Sequence, residues 1–168
     1  MSIPISPDGG RRSTRTPMSR PVLLVSSQGG HLTHLLALRE WWEALDRVWV
    51  CPDSPDVQDR LVGERVVESH SPTTRNIPNL LRNSVLAMRM LRRERPALIV
   101  SSGAGVAVPF FIGAWLLRIP TVFIEVYDRV DTPTMTGRIC GPFTTRRIVQ
   151  WKSQLAFYPD AHLVGPLL

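Results

Sequence analysis

Short apolar runs alternate with longer stretches of helical period along most of this chain. Val22–Ser26 is apolar without alternation and stops at Ser27-Gln28-Gly29-Gly30-His31. A run of that kind is a strand buried on both faces. From His31 to Asp46 the spacing turns helical, with Leu32, Leu35, Leu36, Trp42 and Leu45 on one core-facing stripe. Further strands are predicted over Arg47–Cys51, Arg65–Glu68, Ala97–Ser101, Thr121–Glu125, Arg147–Gln150 and Ala161–Val164. Helices are predicted over Asp56–Val62, Ile77–Arg93 and Val106–Leu117, and a short one opens near Thr132-Pro133. Strands and helices in alternation imply a parallel sheet with right-handed crossovers, so the expected fold class is α/β and Rossmann-like. The expected organisation is a disordered basic tail over residues 1–20 and one domain over residues 21–168.

The apolar block Ala104–Ile124 is about the ~20 residues that a membrane span needs. Pro109, Arg118 and Pro120 interrupt it, which makes it a buried helix followed by a strand. The helix Ile77–Arg93 carries a second pattern. At 100° per residue, Arg75, Arg82, Arg89 and Arg93 share a narrow stripe. Ile77, Leu80, Leu81, Val85, Met88 and Leu91 fall opposite and are expected against the sheet, with Leu86 and Met90 exposed beside the arginines. Such a basic stripe is either a solvated face or a contact for anionic lipid.

Composition changes this picture little. The net charge is +6, and half of it sits in the first twenty residues, where Arg11, Arg12, Arg15 and Arg20 stand against Asp8. With no interleaved aromatic platform and no recognition motif, nucleic acid is not the expected partner. The two cysteines, Cys51 and Cys140, have no metal-binding spacing and read as reduced, packed thiols; no metal site and no cofactor are expected.

The candidate chemistry lies where strands end. Ser27-Gln28-Gly29-Gly30-His31 and Ser101-Ser102-Gly103-Ala104-Gly105 both join a strand to a helix through glycine. Neither has the three-glycine dinucleotide spacing or matches a Walker A loop. In this topology the two loops face one cleft, and backbone N–H groups from both suit a pyrophosphate. The alternative is that the glycines only allow tight turns and close helix packing. His31 is a candidate general base or phosphate ligand, or else a helix cap. Glu125 ends an apolar strand at the sheet's carboxyl edge, in line with the loops; it is a second candidate base or a structural charge paired with Arg129.

These residues occur in a familiar order. Ser26–His31, Ser101–Gly105, Glu125 with Arg129, Thr132-Pro133-Thr134-Met135-Thr136-Gly137, and Val149-Gln150-Trp151 before Tyr158-Pro159 resemble the PssD/CpsF-type bacterial capsule and exopolysaccharide proteins. Those are relatives of the membrane-anchoring subunit of the eukaryotic UDP-N-acetylglucosamine transferase, and more distantly of the amino-terminal half of MurG. The resemblance implies the acceptor-side half of a GT-B inverting glycosyltransferase split over two chains. The chain would bind a lipid-pyrophosphate-linked saccharide at the cytoplasmic face of a membrane. A separate donor-binding half would hold the UDP-sugar. Ser27, Gly29, Gly30, Ser102, Gly103, Gly105 and Arg129 would surround the pyrophosphate, and His31 and Glu125 would be the catalytic pair. Arg75, Arg82, Arg89 and Arg93 would meet the membrane. The eukaryotic anchor has an amino-terminal transmembrane helix where this sequence has a polar stretch. Two other readings are a non-catalytic scaffold for a catalytic partner and a free-standing Rossmann-type small-molecule enzyme.

Overall fold

Strand β1 (Val22–Val25) takes a central place in a seven-stranded, wholly parallel sheet, as its unbroken apolar run requires. The computed structural model describes residues 20–73 and 75–168, so the predicted tail, Arg20 apart, lies outside the described residues. The other strands are β2 (Arg47–Pro52), β3 (Val66–Ser69), β4 (Leu98–Ser101), β5 (Thr121–Ile124), β6 (Arg146–Val149) and β7 (His162–Leu163), in the order β3-β2-β1-β4-β5-β6-β7. The order reverses between β1 and β4, which pair directly, with Val25 opposite Ser101. Both glycine loops leave the sheet at this switch point, where open α/β sheets bind ligands.

Among the described residues, six α-helices cover the two faces of the sheet. α1 (Gly30–Leu36), α2 (Arg39–Trp42) and α3 (Pro55–Arg60) enclose one core with Leu24, Leu32, Leu35, Trp42 and Trp49. α4 (Ile77–Glu94), α5 (Ala107–Leu116) and α6 (Met135–Cys140) enclose the other with Leu23, Leu91, Phe110, Phe111 and Phe123. The predicted helix His31–Asp46 is broken in two. The Trp42 indole donates to the Leu35 carbonyl at 2.7 Å, a carbonyl that an unbroken helix would use for its own ladder, and Trp42 packs edge-on against Trp49. Leu45, predicted to face the core, is 37% exposed.

α4 corrects the sequence reading more sharply. Ile77, Leu81 and Val85, expected against the sheet, are 70%, 62% and 50% exposed, and Leu80 is exposed as well. Met90, expected outside, is buried, and Leu86 is partly buried. The inward face is set by Asn79 and Asn83. Asn83 accepts from the His70 N–H at 2.9 Å and donates to the His70 carbonyl at 2.8 Å, while Asn79 donates to the Pro72 carbonyl at 3.0 Å. These amides supply partners for the backbone of the segment leaving β3, and to do so they turn inward. A hydrophobicity pattern ranks Asn as outward, and here tertiary demand for hydrogen bonds reverses that.

Asn83→Ala is expected to strand both His70 groups and cost about 2–3 kcal/mol. Val85→Ser should change stability by less than about 0.5 kcal/mol, as an exposed substitution. Urea unfolding of both variants checks which face of α4 is buried.

Candidate functional site

The two glycine loops are locked together by one residue from each. His31 Nδ1 lies 2.9 Å from the Ser102 carbonyl, and Ser102 Oγ donates to the His31 carbonyl at 2.7 Å. A carbonyl only accepts, so Nδ1 carries the proton and Nε2 presents a bare lone pair. Burial holds the His31 imidazole below its ordinary value of 6.5; the Ser102 carbonyl bond and the Asp128 and Glu125 carboxylates oppose it with less effect. At neutral pH the ring is therefore an uncharged base whose free nitrogen has no partner among the described residues.

The second loop is tightly wound. Gly103 has φ +113°, and Ala104 follows at +68°, a conformation that costs a non-glycine residue about 1 kcal/mol. A Cβ on Gly103 would come within 3.1 Å of His31 Cε1, so glycine there leaves room for the imidazole. A Cβ on Gly105 would meet Thr73 at 2.9 Å, so this loop lies directly against the segment after β3.

An open cleft of about 800 Å³ runs along the carboxyl edge of the sheet. Of the predicted site residues, Ser27, His31, Gly105 and Arg129 line it, and Gly30 lines an adjoining hollow with His31. Four others are placed differently. The Gly29 N–H is taken by Asp56 Oδ2 at 2.8 Å, and the Gly103 N–H by Ser101 Oγ at 3.0 Å, so neither is free for a ligand. Ser102 is buried and spent on His31. Glu125 is fully buried beneath the cleft rather than on its wall.

Glu125 has different partners from the expected Arg129. Its Oε2 accepts from the Tyr158 hydroxyl at 2.7 Å and lies 4.0 Å from Arg147 Nη1. Burial and the bond to Glu125 hold the Tyr158 phenol well above its usual range, so it remains a donor. The Arg147 guanidinium stacks on the Tyr158 ring at 3.9 Å and donates to the Gly137 carbonyl at 2.9 Å. A Cβ at Gly137 would stand 2.6 Å from Glu125 Oε2 and 2.7 Å from the Tyr158 hydroxyl. Thr134 caps α6 by accepting from the Gly137 N–H at 3.0 Å. Glu125, Gly137, Arg147 and Tyr158 thus form one knot around the buried Glu125 that sets the start of α6 against the cleft.

Three more residues, to which sequence reading gave no role, position the site. His34 Nε2 accepts from the Tyr127 N–H at 3.0 Å, so its Nδ1 carries the proton and donates to the Gly30 carbonyl at 2.7 Å. This pins the loop after β5 to the start of α1. Gln150 donates to the Glu125 carbonyl at 2.9 Å and accepts from the Leu167 N–H at 2.9 Å. Gln154 donates to the Arg129 carbonyl at 2.9 Å and accepts from the Gln150 N–H at 2.8 Å. Ser69, Ser71, Thr73, Thr134 and Thr136 add five hydroxyls to the cleft. Thr134 and Thr136 stand in the Thr132–Gly137 motif, whereas Ser69, Ser71 and Thr73 have no signal in sequence beyond lying at or just past a strand end. No group of His, Cys, Asp and Glu suited to a metal occurs among the described residues.

The fold is a Rossmann-like α/β domain with an open cleft at its topological switch point. The family model described as "Oligosaccharide biosynthesis protein Alg14 like" matches residues 60–167, and the chain belongs to that family. The chain is 28% identical over 115 residues to the human UDP-N-acetylglucosamine transferase subunit ALG14, covering 65% of this chain and 52% of that protein. It is 28% identical over 180 residues to the Yarrowia lipolytica subunit of the same name, covering 89% of this chain and 82% of that protein. A Geobacillus thermodenitrificans transferase, named as adding N-acetylglucosamine to a pyrophosphoryl-undecaprenol-linked acceptor, is 34% identical over 68 residues, 40% of this chain and 18% of that enzyme. The chain thus spans about half of the human relative and about a fifth of the bacterial one. Acinetobacter baumannii MurG shares the fold, with a TM-score of 0.66 at 16% identity over 80% of this chain and 43% of that one. These matches place the chain in a glycosyltransferase-related family and bear out the predicted α/β Rossmann-like class and the kinship with MurG.

Two outcomes test the geometry. Gly137→Ala is expected to cost about 3 kcal/mol, because the added methyl meets the Glu125 and Tyr158 oxygens inside a packed core. The lowered His31 value gives a pH dependence. Between the ordinary value and the lowered one the unfolded chain binds the extra proton, so stability is whole above about pH 6.5 and falls as pH drops below it. His31→Gln removes that part of the slope. Urea unfolding of both proteins at about pH 7.5 and about pH 5.5 checks it.

Proposed function

We propose that this chain is the acceptor-binding subunit of a two-component inverting glycosyltransferase. It takes a lipid-pyrophosphate-linked saccharide, and a separate donor-binding GT-B half supplies the UDP-sugar. The observation that carries the reading is the His31–Ser102 clamp. It sets a neutral imidazole with a free Nε2 among the residues lining the cleft at the switch point, the form a general base takes. In the transfer, Nε2 takes the proton of the acceptor hydroxyl as its oxygen bonds to the anomeric carbon of the donor sugar. The bond from that carbon to the UDP oxygen breaks, and UDP leaves with both electrons. The N–H groups opening α1, the second glycine loop around Gly105, and Arg129 receive the pyrophosphate link. Glu125, sealed under α6, shapes the rim of the site instead of moving a proton.

The same reading gives α4 its role. Ile77, Leu81 and Val85 project one helical turn apart, with Arg82 and Arg89 beside them on the rim of a shallow groove. Ile112, Trp115 and Leu116 of α5 are exposed on the same side of the sheet. Among the described residues no helix is long and apolar enough to cross a membrane. An apolar stripe flanked by arginines is the pattern of a surface that lies on anionic lipid, here at the cytoplasmic face. The biosynthetic role that fits is assembly of capsule or other lipid-linked polysaccharide.

Reconstitution with a separately expressed donor-binding half tests the enzyme. The pair is expected to transfer sugar from UDP-N-acetylglucosamine to a prenyl-pyrophosphate saccharide. His31→Ala should lower kcat about 100-fold or more, as expected for loss of a general base. Turnover near normal in that variant means the chain is a scaffold and the partner holds the chemistry. For the membrane, Arg82→Gln with Arg89→Gln removes about 1 kcal/mol per charge and should weaken binding to anionic vesicles roughly 30-fold at low salt. Unchanged co-sedimentation leaves the stripe a solvated face.

A further inference from the structure

One wall of the cleft has no part in the transfer as described. It is the segment Ser69–Thr73, which leaves β3 at the opposite end of the cleft from Arg129. Ser69 is 2% exposed, lines the cleft, and its Oγ is buried without a hydrogen-bond partner among the described residues. A buried hydroxyl left unpaired is costly, and one beside a ligand cleft marks a place where the ligand completes it. Ser71 and Thr73 line the same wall, flanked by the rings of Pro52 and Pro72.

The wall is built to hold its shape. Asn83 brackets His70 from both sides, Asn79 holds the Pro72 carbonyl, and Thr73 packs against Gly105 of the second glycine loop. Its chemistry differs from that of the far end. Arg129 is the one cationic side chain among the residues lining the cleft, and it stands beyond β5. β3 and β5 are four places apart in the sheet, roughly 19 Å at the usual strand spacing. Hydroxyls that both donate and accept, flanked by apolar proline rings and with no cation beside them among the cleft-lining residues, suit a neutral polyhydroxyl ring better than a phosphate. His31 follows β1, between the two ends.

We propose that Ser69, Ser71 and Thr73 form a saccharide subsite that holds the acceptor sugar carrying the attacking hydroxyl, with its pyrophosphate link directed toward Gly105 and Arg129. This rests on the transferase reading and adds to it the direction in which the acceptor lies. The sugar spans from β1 toward β3, which brings its hydroxyl to His31 Nε2.

The test uses two soluble probes titrated into the full chain by calorimetry. One is a short-chain prenyl pyrophosphate carrying a single N-acetylglucosamine, and the other is the same prenyl pyrophosphate without sugar. Ser69→Ala removes a hydroxyl that no protein group uses, so its Tm should hold. Ser71→Ala with Thr73→Ala provides a second, more exposed variant. Each variant is expected to bind the sugar probe about 10-fold more weakly and the sugar-free probe unchanged. Arg129→Gln should weaken both probes alike. Equal loss of both probes in the serine and threonine variants, or no loss of the sugar probe, overturns the subsite and leaves the pyrophosphate site standing. If the unmodified chain binds neither probe, the transferase reading falls and the subsite with it.

Discussion

The site depends on a constraint that arises where β1 and β4 part. Two adjacent parallel strands end together, and their chains turn to opposite faces of the sheet, so the backbone groups just beyond the ladder lose their partners. His31 and Ser102 close that gap reciprocally, each side chain bonding the other residue's carbonyl. One arrangement satisfies the backbone, fixes the spacing of the glycine loops and selects the tautomer of His31. Gly103 belongs to the same constraint, because any side chain there would press on the imidazole. The chemistry available to the cleft is therefore a consequence of how the sheet splits.

Elsewhere along the carboxyl edge, buried amides do similar work. Gln150 and Gln154 bond backbone at the ends of β5 and β6, and Asn79 and Asn83 do so beyond β3. An amide offers both a donor and an acceptor, as the peptide group does, so it can extend a ladder past the point where the strands diverge. The loops that carry Arg129, Ser71 and Thr73 are held in this way without regular structure of their own.

The residues that sequence reading picked out separate into two kinds under this geometry. Ser27, His31, Gly105 and Arg129 face the cleft. Glu125, Gly137, Gln150 and Tyr158 lie behind it and bond one another or the backbone. The second group is the frame that holds the first in place.

The sequence by itself determined the α/β class, the strand positions within a residue or two, and the two glycine loops that end neighbouring strands beside the cleft. These follow from local rules: continuous apolar runs make buried parallel strands, and a strand can turn sharply into a helix only where backbone is nearly bare. It also singled out His31, because that residue stands where a strand end meets a helix start. The tertiary structure alone decided which face of α4 is buried, which glycine N–H groups are already used, and that Glu125 lies under the site with Tyr158 and Arg147. Those outcomes rest on hydrogen bonds between residues distant in sequence, such as Asn83 with His70 and Gly29 with Asp56. Hydrophobic periodicity records how a side chain partitions from water, and it carries no record of which backbone group elsewhere will need a partner once the chain has closed over it.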